Sequence, residues 1–182
     1  MAKLVSATYG DALFEVAMEQ NMVDVLFEEA KAVYDAIDGN KELVNFLNHP
    51  KIDKANKIKT IEDIFNQFVS KELTGLLVAI VQKDRAKELK GILEYFLNKV
   101  KEYKKIGTAY VTTPMELSDE AKKKVEKRLL ETTGYVKFEM VYTVDASLIG
   151  GMVIRIGDRV VDSSVRTKID ELTKQLLQIQ LG

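Results

Sequence analysis

The side chains that could act as acids, bases, nucleophiles or metal ligands do not gather here into a pattern that catalysis could use. One histidine, His49, precedes Pro50 at a helix end, where it reads as a solvated loop residue rather than a base or a ligand. There is no cysteine, which removes thiol catalysis, thiolate metal sites and disulfides. Neither the His-Glu-x-x-His spacing of a zinc protease nor the glycine-rich lysine turn of a P-loop occurs. The Gly-x-Ser-x-Gly turn that would present a nucleophilic serine is also missing. Gly150-Gly151 is too short to cradle a phosphate and marks a bend entering a strand. The pairs Glu28-Glu29 and Glu62-Asp63 fall on helical segments where a wet surface explains them, and Lys122-Lys123-Lys124 reads as the solvated side of a helix, with anion binding a minor alternative. The expectation is a protein without catalytic residues, metal site or cofactor.

Charge excludes a further class. Of the 27 basic and 28 acidic residues, 16 and 17 fall in residues 1–105, so neither half has the cationic excess that counterion release from nucleic acid exploits. No nucleic-acid partner is expected. Met1-Ala2-Lys3-Leu4 meets Thr8 and Asp11 before any long apolar run, which argues against a leader. The longest uninterrupted apolar run, Leu76 to Val81, falls far short of the roughly 20 residues that cross a bilayer. The expectation is a soluble protein, intracellular or exposed to an intracellular compartment, with no membrane insertion.

The elements have two rhythms. Up to about residue 105 the spacing is helical: Lys3–Glu19, about Met22–Asp38, Lys41–Leu47, a segment from Asp53 as N-cap, one around Leu76–Val81, and Arg85–Lys105 with Leu89, Ile92, Leu93, Phe96, Leu97 and Val100 on one face. Past Ile106 the pattern becomes mixed. Gly107–Thr113 is rich in strand formers, Ser118 caps a helix that Gly134 ends, and Val136–Val144 alternates with period two. Gly151–Ile156 and Arg159–Val161 flank Gly157-Asp158, a hairpin linker, before a last helix from about Ser164 to Gln180. The predicted fold is mainly α: a helical domain over 1–105 and a small α+β domain, in the order β-α-β-β-α, over 106–182.

Two helices carry more apolar surface than one packed face requires. Around Lys3–Glu19 the only dependable polar stripe is Thr8, Asp11, Glu15 and Glu19, and Gly75–Val81 is apolar all round apart from the glycine. Either both sit deep in a bundle and are touched from several sides, or they lie together and leave a groove for a partner's amphipathic helix.

The stretch Val144–Asp158, with Asp145, Ala146, Leu148-Ile149, Gly150-Gly151, Arg155 and Gly157-Asp158, closely resembles the signature of the ATP synthase delta subunit family, which includes the mitochondrial oligomycin-sensitivity-conferring protein. Asp162–Ile169 continues the likeness, and Tyr9–Phe14 resembles the family's first helix. Departures are Thr8 for a basic residue or proline, Gly10 for alanine, Ala146 for proline and Ser163 for glycine. Gly10 lowers helix propensity by about 1 kcal/mol relative to alanine, which predicts a looser start to that helix.

The resemblance implies a non-catalytic stator subunit of a rotary F-type ATP synthase, peripheral on the cytoplasmic face of a bacterial membrane. It implies a six-helix N-terminal bundle whose first and fifth helices receive the N-terminal helix of an alpha subunit. By position that groove is offered by Tyr9, Ala12, Leu13, Val16, Leu76, Ala79 and Ile80. The second domain would hold the b-type peripheral stalk subunits, with the seam Val165, Ile169, Leu172 and Leu176 as the candidate contact; packing of that seam on the small sheet is the alternative. Asp145, Gly150, Gly151, Arg155, Gly157 and Asp158 would preserve strand and hairpin geometry. The alternative is a generic helical adaptor or assembly factor with the same groove; a small enzyme using undistinguished carboxylates, or an RNA-binding module, lacks a positive feature.

Overall fold

The computed structural model describes residues 2–169 and Leu172. Helices α1 (Ala2–Glu19), α2 (Val23–Gly39), α3 (Lys41–Asn48), α4 (Lys54–Phe65), α5 (Lys71–Gln82) and α6 (Leu89–Tyr103) precede any strand, with a 3-10 turn at Ala86–Glu88. Their apolar stripes close one core. α2 contributes Leu26, Phe27, Ala30, Val33 and Ile37, α5 contributes Leu73, Leu77, Ile80 and Val81, and α6 contributes Leu89, Ile92, Leu93, Phe96 and Val100.

The helix ends obey rules that the sequence shows only partly. Asn40 closes α2 and caps α3, its side-chain oxygen accepting from the Leu43 amide at 3.0 Å. Asp53 occupies the N-cap position of α4, but its carboxylate takes no capping hydrogen bond, a correction to the expectation. The helix expected over Arg85–Lys105 begins at Leu89 instead, because the chain must first leave α5. There Asp84 takes φ +56°, with Arg85 N donating to Ile80 O (3.0 Å) and Asp84 N to Val81 O (3.0 Å), the paired closure of a Schellman end. Asn21, at φ +55°, ends α1 in the same way: Met22 N donates to Ala17 O (2.8 Å) and Asn21 N to Met18 O (3.2 Å).

The rest of the chain builds β1 (Ile106–Thr113), α7 (Asp119–Thr132), β2 (Lys137–Val144), a 3-10 turn at Ala146–Leu148, β3 (Val153–Ile156) and β4 (Arg159–Asp162), followed by a helical turn over 165–169. The sheet order is β2-β1-β3-β4. β1 and β2 run parallel, from Ile106 opposite Lys137 to Thr113 opposite Val144, with α7 as the connection that parallel neighbours need. β3 lies antiparallel to β1 and forms a hairpin with β4 across Gly157-Asp158. Ser118 caps α7, accepting from the Ala121 amide at 3.3 Å. Gly134 does not end it in a left-handed conformation. The helix stops at Thr132, and the Thr133 hydroxyl donates to the Leu129 carbonyl at 2.7 Å. Ala109, Leu129 and Phe138 form the buried centre of this unit.

The molecule is thus mainly helical with a small four-stranded mixed sheet. It divides into two compact units, residues 1–101 and 102–182, the division falling inside the last turn of α6. Among the described residues no helix is long and apolar enough to cross a membrane.

Candidate functional site

α1 lies against α5, and the burial of each side chain decides which of the predicted groove residues a partner could touch. Leu13 is 3% exposed and Ile80 0%: both belong to the core, and their assignment to an open groove is corrected. The physical reason is that α1 is enclosed on more than one side. Gly10 lies against Tyr95 and Phe96 of α6, Gly91 of α6 lies against Ser6, and Ala17 is fully buried. A wheel drawn from one helix gives the width of its apolar arc but not how many neighbours cover it.

The other five residues remain at or near the surface. Tyr9, Val16, Leu76 and Ala79 are half-buried and Ala12 is exposed. At about 100° per residue, Tyr9, Ala12 and Val16 form a strip beside the buried Leu13, as Leu76 and Ala79 do beside Ile80. The Arg85 guanidinium stands 5.5 Å from the centre of the Tyr9 ring and donates to its hydroxyl at 3.4 Å, which fixes the ring at the end of α5. On the other flank, Asp11 accepts from Lys99 Nζ and from the Tyr95 hydroxyl at 3.1 Å. The Lys99 ammonium, foremost, holds the Asp11 carboxyl below the usual carboxylate range, against a smaller desolvation effect in the other direction. α1 is therefore pinned to α6 by a polar clamp on one side and borders α5 with small and apolar side chains on the other.

In the second unit the signature residues form turns. Asp145 accepts from the Ser147 amide at 2.9 Å, and hydrogen bonds from Ser147 hold its carboxyl low. The Gly150 carbonyl accepts from Val165 N at 2.9 Å. Gly151 takes φ +77°, and a β-carbon there would overlap the backbone of Ser163 and Ser164. Gly157, at φ +57°, opens the two-residue link to β4 with Asp158 after it. Arg155 lies 4.7 Å over the centre of the Tyr110 ring across the β1–β3 pair. Of the proposed stalk seam, Val165, Ile169 and Leu172 are exposed at 38%, 48% and 58%, and Leu176 lies outside the described residues.

Two residues have roles that the apolar pattern alone does not mark, one beside the α1–α5 strip and one in the core of the helical unit. Arg85 looked like the start of a helix, and only the turn at Asp84 brings it to Tyr9. Lys57 was assigned to no face, yet with Ile61 and Phe65 it forms the buried stripe of α4; its i, i+4, i+8 spacing was the available signal. Among the described residues no three His, Asp or Glu side chains stand together as a metal set.

The profile of the ATP synthase delta (OSCP) subunit family matches residues 5–176. The chain is 54% identical to ATP synthase subunit delta of Lachnoclostridium phytofermentans over the whole of both chains. It is 33% identical to ATP synthase subunit delta of Desulforamulus reducens over 95% of each. Its fold resembles that of a chain in the Toxoplasma gondii mitochondrial ATP synthase hexamer with a TM-score of 0.74, covering 94% of this chain and 97% of that one at 21% identity. A family match spanning nearly the whole chain, with a relative more than half identical end to end, places this protein in the ATP synthase delta (OSCP) subunit family.

Proposed function

We propose that this chain is the stator connector of an F-type ATP synthase: it performs no chemistry, and it joins the catalytic head to the peripheral stalk so that the head resists the torque of the rotor. We read α1–α6 as a six-helix bundle that receives the N-terminal helix of an alpha subunit beside α1 and α5, and the second unit as the attachment for the b-type stalk subunits. The complex would place it peripherally on the cytoplasmic face of a bacterial membrane.

The family match over residues 5–176 carries this reading. The half-exposed strip formed by Tyr9, Ala12 and Val16 with Leu76 and Ala79 supports the docking surface, because its alanines let a second helix approach closely. A connector needs slow dissociation, and nanomolar binding corresponds to about 12 kcal/mol, within reach of a standard helix-in-groove interface.

The test is co-purification of the full chain with an ATP synthase head, competed by a synthetic peptide of the alpha-subunit N-terminus. Capture that the peptide abolishes is the expected result. A chain that leaves the head unbound, or whose capture the peptide leaves unchanged, refutes the assignment of this surface.

A further inference from the structure

A lysine occupies a core position in α4. Lys57, Ile61 and Phe65 form the buried stripe of that helix, and Lys57 as a residue is 8% exposed. An apolar residue would suit the stripe at no electrostatic cost, whereas a lysine there lays its stem in the core and must carry its ammonium out to water or to a counter-charge. Among the described residues, no carboxylate, hydroxyl or carbonyl accepts from the Lys57 Nζ. No buried side-chain nitrogen or oxygen among the described residues lacks a partner, so the Lys57 Nζ keeps contact with solvent. Lys57 lines a cleft of about 500 Å³ between the α3–α4 loop, the start of α4, the end of α5 and the 3-10 turn before α6.

Four lysines and two aspartates line that cleft, an excess of two positive charges. Lys54 Nζ lies 2.5 Å from Asp84 Oδ2 and 3.4 Å from the Gln82 carbonyl, so this pair is internally satisfied. Lys51, Lys57 and Lys87 then face Asp53 alone. Asp53 is the N-cap residue whose side chain leaves the first amides of α4 uncapped, so the positive end of a 12-residue helix adds to the same field.

We propose that this cleft binds a phosphate-class oxyanion, gripped by Lys57 with Lys51 and Lys87 at the start of α4. A compact tetrahedral anion can accept from several ammonium groups arriving from different elements, and its charge of about −1.5 to −2 near neutrality matches the excess. The bound anion would supply the counter-charge that Lys57 lacks and tie the α3–α4 loop to the end of α5. The inference does not depend on the connector role.

The experiment titrates the full chain at constant ionic strength, first with inorganic phosphate and then with glycerol 3-phosphate, following backbone amide shifts by NMR. The expected result is saturable binding of at least one of the two, with the shifts concentrated in residues 47–57 and 81–87. Binding of both identifies the free anion as sufficient, and binding of the ester alone assigns the site to a phosphomonoester. Lys57→Met, which keeps the packed stem and removes the charge, should weaken binding by about tenfold or more. Lys87→Gln should weaken it by about threefold, and Lys31→Met on α2 should leave it unchanged. Should Lys57→Met fold poorly, the shift map and Lys87→Gln decide. Non-saturating shifts with both anions, shifts spread over unrelated lysines, or full affinity in the folded Lys57→Met chain would overturn the proposal.

Discussion

Gly151 lies so near Ser163 that a β-carbon placed on it would overlap the Ser163 carbonyl oxygen and stand 2.9 Å from the Ser164 α-carbon. With φ at +77° as well, the position excludes side chains by conformation and by contact. Gly151→Ala should destabilise the second unit by at least about 2 kcal/mol. Gly134→Ala, whose added methyl meets nothing within 4 Å, should be neutral or stabilising by up to about 1 kcal/mol. Amide hydrogen exchange in β1 and β3 separates the two, and equal protection in both variants would contradict the account.

Gly10 presents a conflict between propensity and packing. Alanine there would gain about 1 kcal/mol of helix propensity. Its methyl, however, would run into the Tyr95 ring, standing 3.2 Å from Cε1 even beyond the closest overlap, with the Phe96 amide nitrogen at 3.4 Å. Because Tyr95 is also held by Asp11, Gly10→Ala should cost a net 1 to 2 kcal/mol, roughly the range of small overpacking penalties. In a Tyr95→Ala background the same change should become stabilising, and urea unfolding of the four chains closes the cycle. A stabilising Gly10→Ala in the natural background would show that the ring yields freely.

The α1–α5 surface makes a prediction about which substitutions release a partner without unfolding the chain. Ala12→Asp and Ala79→Asp put a charge on the half-open strip and should abolish binding of the alpha-subunit peptide while leaving circular dichroism and melting near normal. Leu13→Asp and Ile80→Asp put an unpaired carboxylate into a sealed core and should cost about 3 to 5 kcal/mol of stability. Calorimetry on the folded variants and thermal melts on all four distinguish the roles. Undiminished peptide binding by both alanine variants would remove this strip as the docking surface.

Acid should loosen the helical turn at 165–169. Asp162 accepts from the Thr167 hydroxyl at 2.7 Å and the Ser164 amide at 2.8 Å, and these bonds, Thr167 foremost, hold its carboxyl below the ordinary range. A carboxyl that is more acidic in the folded than in the unfolded chain stabilises the fold fully above its unfolded value, about 3.9. That stabilisation is lost as pH falls through the folded value. Carboxyl NMR should therefore show Asp162 titrating later than exposed aspartates as pH is lowered. Thr167→Val should bring its titration back toward theirs; an unchanged titration would dissociate the shift from this bond.

What could be read from the chain followed from which forces act locally. The α6 stripe, the Ser118 cap and the Gly157-Asp158 hairpin depend on neighbours in sequence, and each appears where expected. β2 forms where its alternation predicts, but on this edge strand only Phe138 is buried, while Val144 and, just before the strand, Val136 are exposed. Helix ends were harder, because Asn21, Asp84 and Lys105 take positive φ where glycine would have been the legible marker, while Gly134 does not. The order β2-β1-β3-β4 joins segments far apart in sequence and carries no local trace. Leu13 and Ile80 were misplaced for the same reason: counting apolar residues around a helix does not tell how many other helices press on it. Gly10 lowers the helix propensity of α1, yet it stands where Tyr95 and Phe96 of α6 leave little room for a β-carbon.

The placing of β1 in the middle of its sheet has a mechanical consequence. The polypeptide enters the second unit through this strand, which is laced to β2 over eight residues on one edge and to β3 over four on the other. Traction along the strand therefore meets two rows of bonds that must shear together, whereas an outer strand could be peeled away one link at a time. For a tether that bears repeated twisting, the incoming cable is anchored at the firmest place the sheet offers.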